Sequence, residues 1–164
     1  MRHILYKSIR FLSVSVLQVV LVFLFILATT FSSCRHEDTD EVESLVDTFS
    51  TAYFNWQFFL LQPYVTDDSQ PCLRYLSSQI NQNDIDTLRA LPEGAKVEVN
   101  AIDYFDRADS ATATVSVKHY LKMNQLGKVG TLTEASVYRI PLKKYDGKWK
   151  VSLIEPLREV KVED

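Results

Sequence analysis

The sequence predicts an α+β domain, with its helices grouped first and a meandering antiparallel sheet after them. Three observations carry this. Across residues 40–61 apolar side chains recur at three- and four-residue steps, the helical period. After Gly94 the period changes to two, the period of strands. Near the C-terminus, Tyr145-Asp146-Gly147-Lys148 sets Asp-Gly between two alternating runs, the signal of a two-residue hairpin.

The first helix is expected from Asp40, which with Glu43 has the spacing of a capping box. Val42, Leu45, Val46, Phe49, Ala52, Tyr53, Trp56, Phe59 and Leu60 form one apolar stripe, and Phe54, Phe58 and Leu61 form a second row. A helix apolar on two sides needs cover on two sides. This one should therefore lie between the sheet and further helices, with Trp56 at the centre of the core. Pro63 ends it. Asp67-Asp68-Ser69 can cap a short second helix, with Pro71 in its first turn and Leu73, Leu76 and Ile80 inward. Asn83 or Asp84 can cap a third, carrying Ile85, Leu88 and Leu91 before Pro92 and Gly94 stop it.

Four strands follow, at 97–105, 111–123, 134–143 and 148–154, with a looser loop at 124–132. In the first, Val97, Val99 and Ala101 favour one face while Ile102 and Tyr104 favour the other. That conflict predicts a bulge near Ala101 and leaves the direction of Asp103 open. In the second, the odd positions Ala113, Val115, Val117, Leu121 and Met123 make an apolar face, and His119 falls among them.

The N-terminus carries a different signal. Arg2, Lys7 and Arg10 precede an apolar run at 11–31, followed by Ser32, Ser33 and Cys34 and then by Arg35-His36-Glu37-Asp38. A basic region, an apolar region and small residues before a cut mark a secretory signal. With the cysteine placed next, the segment resembles the lipobox of bacterial lipoproteins, in which the thiol is acylated and becomes the new N-terminus. Residues 1–33 then read as signal peptide, 34–39 as lipidated cysteine and acidic tether, and 40–164 as the domain. The rival reading is a retained signal anchor, since 21 apolar-rich residues would span about 31 Å as a helix. Phe31, where a smaller aliphatic residue is commoner, favours that rival. Either way the basic residues stay cytoplasmic and the domain lies outside the inner membrane.

Three of the 18 basic residues precede Cys34 and all 21 acidic ones follow it, so the portion after the cut carries a net charge near −6. Such a domain is repelled by nucleic acid, which excludes it as a partner. Cys34 and Cys72 are the only cysteines. If Cys34 is lipidated, Cys72 is a lone buried thiol behaving as a small hydrophobe. If it is not, a Cys34–Cys72 disulfide is the alternative.

Few residues offer chemistry. His119 on its apolar face could act as a general base, though a histidine satisfied by one hydrogen bond is the simpler account. Asp103, with Tyr53 on the helix and Tyr138 on the third strand, could supply a carboxylate and phenol donors; packing with hydroxyls at the surface explains the tyrosines equally. His3, His36 and His119 have no metal-ligand spacing, and neither a phosphate loop nor a nucleophile elbow is present. No cofactor or metal is expected.

The aromatic helix with Tyr53, Phe54 and Trp56, the two short helices, and the closing hairpin Tyr145-Asp146-Gly147-Lys148-Trp149-Lys150-Val151 together resemble the nuclear transport factor 2-like superfamily. The chain is also similar to small lipoproteins of that fold from Bacteroides-type bacteria, and the acidic stretch after Cys34 to their surface-export signal. The resemblance implies a strongly curved, mainly antiparallel sheet wrapping the long helix into a cone, with a pocket at its mouth. Tyr53, Trp56, Asp103, His119 and Tyr138 are the candidates to line it. It further implies a lipid-anchored envelope protein of the outer membrane that binds a small apolar ligand or another envelope protein, without catalysis. An isomerase-, cyclase- or dehydratase-like enzyme is the alternative, and a homodimer through the sheet is compatible with both.

The anchor reading has a direct test. Acyl chains bind a bilayer with about 0.8 kcal/mol per buried methylene, so lipidation holds the domain firmly. Cys34→Ala should abolish incorporation of a palmitate analogue and leave an uncleaved precursor; a mature wild-type protein still starting at Met1 would speak for the anchor helix.

Overall fold

The computed structural model describes residues 34–105, 109–124 and 128–160, with side chains from Thr39 onward. The signal or anchor at 1–33 and the side chain of Cys34 lie outside the described residues. The chain divides into two compact units, Met1–Asp40 and Glu41–Asp164. Of the first, the described part is the opening of a helix. The second holds an α+β domain: α-helices and 3-10 segments followed by a four-stranded antiparallel sheet, as its sequence periods require. Among the described residues, no helix is long and apolar enough to cross a membrane.

Helix α1 spans Cys34–Phe54. Asp40 is inside it, so the expected capping box with Glu43 does not start it. It also stops short of the predicted end. Trp56 N–H reaches Tyr53 C=O at 3.1 Å and Gln57 N–H reaches Ala52 C=O at 2.8 Å, the paired closing bonds of a Schellman motif. Trp56 holds the left-handed position of that motif, with φ +57°, where glycine is usual. A 3-10 segment, Phe58–Tyr64, follows with Pro63 inside it. The turn rotates the predicted stripe out of phase. Phe59 and Leu60, expected in the core, are 73% and 45% exposed, while Phe58 and Leu61 from the second row are buried.

A second 3-10 turn, Asp67–Ser69, leads into α2, Gln70–Ser78, which has Pro71 in its first turn and Cys72, Leu73 and Leu76 inward. Helix α3, Gln82–Ala90, is capped two or three residues earlier than predicted, at Asn81. Asn81 accepts from Asp84 N–H at 3.1 Å while the Asp84 carboxylate accepts from Asn81 N–H at 3.3 Å. Asp84 is buried, and its other oxygen accepts Gly130 N–H at 2.7 Å, pinning the far end of the 124–132 loop. Gly130 is needed there: a Cβ would stand 2.8 Å from Leu121 Cγ.

The sheet runs β1 (Lys96–Tyr104), β2 (Ser110–Lys122), β3 (Thr131–Tyr145), β4 (Lys148–Val151), each antiparallel to the next. The register of β1 on β2 shifts between Val99 and Ala101, the predicted bulge. It turns Ile102 inward with Val97 and Val99 and leaves Asp103 exposed. Strand β3 begins at Thr131, inside the expected loop, because its first residues pair with Lys122 and Leu121. Asp146 and Gly147, with φ +49° and +77°, make the hairpin turn that Asp-Gly predicts. Beyond β4, Val65 bridges Val151 in parallel, and Thr66 N–H donates to Val151 C=O at 3.0 Å.

One core joins the apolar face of α1 (Val42, Val46, Phe49) to the inner row of the sheet: Ala113, Val115 and Val117 on β2, Ile140 and Leu142 on β3, Trp149 and Val151 on β4. On β2 that row is odd-numbered as far as Val117 and would carry His119 inward. His119 instead takes a left-handed backbone, φ +53°. The pairing to β3 continues on either side of it, Lys118 with Ala135 and Tyr120 with Thr133. The alternation is thereby broken: His119 faces out, its side chain 61% exposed with Nε2 3.4 Å from Glu134, while Tyr120 and Leu121 are both buried at 1% exposure.

Left-handed backbone costs an ordinary L-residue about 1–2 kcal/mol and a β-branched one more readily clashes. His119→Val should therefore lower unfolding stability by about 1–2 kcal/mol in urea titration, and His119→Gly should hold or raise it. Equal stability of the two variants would mean that position 119 carries no such backbone.

Candidate functional site

A cavity of about 540 Å³ opens where the end of α1, helix α2, the distal ends of β2 and β3 and the C-terminal segment meet. Its walls are Tyr53, Phe54, Trp56, Phe58, Leu76, Tyr120, Leu121, Met123, Tyr138 and Leu157; Tyr75, Gln79, Lys122, Asn124 and Arg158 ring it with polar atoms. The aromatic rings interlock. Phe54 lies edge-on to Tyr53 at 5.1 Å and to Tyr120 at 5.5 Å, and tilts against Tyr138 at 4.7 Å. Such contacts hold each ring's orientation, which leaves the hydroxyls at fixed places.

Trp56 anchors the wall to the sheet. Its indole N–H donates to Leu121 C=O at 2.9 Å, across a buried gap between the helix end and β2. On the other side the C-terminal segment runs beside β3, bridging Tyr138 with Glu159, with Val160 N–H on Val137 C=O at 2.8 Å. Leu157 N–H donates to Tyr53 Oη at 3.0 Å. These bonds seat residues 156–159 as one side of the cavity.

Its polar groups form a row. Tyr120 and Tyr138 hydroxyls meet at 2.7 Å, and Tyr120 Oη reaches Glu159 Oε1 at 3.4 Å. Lys122 and Ser136 also donate to the Glu159 carboxylate. The Lys122 and Ser136 hydrogen bonds, first and second in size, hold that carboxyl below its ordinary pKa. Burial pushes the phenols the other way. Tyr53 is raised by desolvation, and Tyr138 by desolvation and then by its bond to Tyr120. Both keep their protons throughout the physiological range. Cys72, a buried free thiol, is pushed up to about 11, chiefly by burial and then by the charge of Glu155.

Of the residues singled out by sequence, Tyr53, Trp56 and Tyr138 come together on this cavity, and Asp103 and His119 do not. The bulge aims Asp103 outward and the left-handed backbone turns His119 to the surface. Four contributors were missed. Tyr120 was hidden by the break in alternation at His119, Lys122 falls on the even, outward positions of its strand, Ser136 carries no signal of its own, and Glu159 lies beyond the last predicted strand. The doublet Lys118-His119, two polar residues in succession after a clean alternation, is the signal that could have revealed Tyr120. Among the described residues, no three His, Cys, Asp or Glu side chains gather as a metal site would require. Neither a protein-family model, nor a curated protein, nor a solved structure matches the chain.

The lowered pKa of Glu159 ties the C-terminal segment to pH. A carboxyl whose folded pKa is depressed stabilises fully above its unfolded value, about 4.3, and loses that stabilisation as pH falls toward the folded value. Hydrogen-exchange protection at Leu157 and Val160 amides should accordingly decline below about pH 4.3, ahead of protection in β2. Glu159→Gln should remove this early decline; its persistence in the variant would assign it to another group.

Proposed function

We propose that the chain is a lipid-anchored cell-envelope protein whose domain binds a small apolar or amphipathic molecule and does not transform it, its sheet curving about the helices in the cone of the nuclear transport factor 2-like superfamily. The observation that carries the binding reading is the cavity itself. Its volume, about 540 Å³, lies in the range of small-molecule sites, and its aromatic wall with a few converging polar groups has their make-up. The anchor rests on the order of basic, apolar and small residues before Cys34.

The state of its ionisable groups favours binding over catalysis. General acid–base work is best done by a group whose pKa lies near the working pH. Tyr53 and Tyr138 are moved up, away from neutrality, and Glu159 is moved down. The Cys72 thiol, at about 11, stays protonated and is no nucleophile at neutral pH. Each group is shifted toward permanence in one protonation state.

Uptake of the neutral fluorophore N-phenyl-1-naphthylamine tests the reading. The half-buried Gln79, at the C-terminal end of α2, borders the cavity, so Gln79→Trp adds bulk there without cutting into the core. The wild type should bind the fluorophore with enhanced emission, and Gln79→Trp should weaken binding about tenfold or more at unchanged melting temperature. Equal uptake by the variant would place the fluorophore elsewhere and remove the cavity from the argument.

A further inference from the structure

The hydrogen-bond row has a direction, which follows from counting protons. The Glu159 carboxylate, held ionised by Lys122 and Ser136, can only accept. Its contact with Tyr120 Oη at 3.4 Å therefore uses the single proton of Tyr120. At the 2.7 Å contact between the phenols, Tyr120 must then be the acceptor and Tyr138 the donor. Tyr138 has spent its only proton, and the remaining lone pair of its hydroxyl can do nothing but accept.

Tyr53 is the converse. Its hydroxyl oxygen accepts Leu157 N–H at 3.0 Å, and among the described residues its own proton meets no acceptor. Tyr53 and Tyr138 line the same cavity and both rest on the ring of Phe54, at 5.1 and 4.7 Å. The cavity thus presents one acceptor and one donor, both neutral, within an apolar wall.

We infer that the cavity selects an apolar molecule bearing a neutral hydroxyl, an alcohol or phenol, whose proton goes to Tyr138 Oη and whose oxygen accepts from Tyr53 Oη. This rests on the binding reading of the cavity and gives it a ligand class. A hydroxyl donates and accepts through one atom. An ether can only accept and leaves Tyr138 unmet; a carboxylate brings a charge without a proton toward Glu159; an ammonium group leaves the Tyr53 proton unmet. Buried polar groups left without a partner are what such sites discriminate against.

Three probes of one shape separate these cases: 2-naphthol, 2-methoxynaphthalene and 2-naphthoate. They are titrated against the full 164-residue chain and its variants in one medium, so that partition into the medium is common to all and cancels. The wild type should bind 2-naphthol about tenfold tighter than 2-methoxynaphthalene, with 2-naphthoate weakest. Tyr120→Phe removes the acceptor that holds the Tyr138 proton and frees Tyr138 to donate. The preference for 2-naphthol over 2-methoxynaphthalene should then vanish or reverse, while Glu159 keeps Lys122 and Ser136. Tyr53→Phe should weaken both probes alike, since both accept from it. Equal affinity of the wild type for 2-naphthol and 2-methoxynaphthalene would overturn the inference while leaving the cavity a binding site, as would an unaltered preference in Tyr120→Phe. Binding of none of the three would overturn the binding reading and this inference together. The wild-type preference alone decides the matter if a variant fails to fold.

Discussion

The buried hydrogen bond from the Trp56 indole to Leu121 C=O is the constraint on which the arrangement depends. Trp56 occupies the helix-closing position that normally belongs to glycine, and a bulky residue in left-handed backbone is costly. The cost is offset where the side chain so placed is buried and its single polar atom is satisfied. Without that closure α1 would continue through Phe59, and Phe58 and Leu61 would lose their places in the core. The bond also fixes the end of β2 against the helix, and it is from that end that Tyr120, Leu121 and Lys122 reach the cavity.

A second left-handed residue completes the job. His119 breaks the alternation of β2 beyond Val117, so that one strand serves two purposes along its length. Its first part contributes small and β-branched side chains to an ordinary core. Its last part delivers a phenol to the interior and a lysine to the rim. Of these two departures from ideal backbone, Trp56 lines the cavity directly, and His119 acts at one remove, by setting its neighbour Tyr120 on the cavity wall. Trp56 is held in its strained backbone by burial of its side chain and by its bond to Leu121 C=O, whereas the exposed His119 is held by the strand pairing on either side of it.

Much of the fold was legible because periodicity reports burial directly. The change from helical to strand period after Gly94, the Asp-Gly hairpin and the conflict of faces around Ala101 each correspond to an element or bulge in the structure. The misread faces share one cause. Trp56 is a residue type that seldom takes positive φ, and histidine, though less averse to it, mostly does not, so neither identity by itself announces a break in the pattern. The inferred faces fail beside each of them, at Phe59 and Leu60 in one case and at His119 and Tyr120 in the other, while Leu61 and Leu121 are buried as inferred. The polar row was hidden for a different reason. Its members come from two strands and the C-terminal segment, and Glu159, which follows the last strand, reaches them through bonds from Tyr120, Lys122 and Ser136 and a bridge to Tyr138. Long-range register is not encoded in any local spacing.

The bulge at Asn100 bears on how the molecule behaves in company. Strand β1 lies at one border of the sheet, and an unpaired strand is a template on which a second chain can zip. Here the shifted register breaks the straight run of donors and acceptors, and the exposed Lys96 and Glu98 set charges beside it. At the opposite border β4 is only four residues long, and Val65 and Thr66 already occupy Val151. Each border thus offers a second copy only short, interrupted stretches of backbone, a shape that discourages edge-to-edge growth into fibrils.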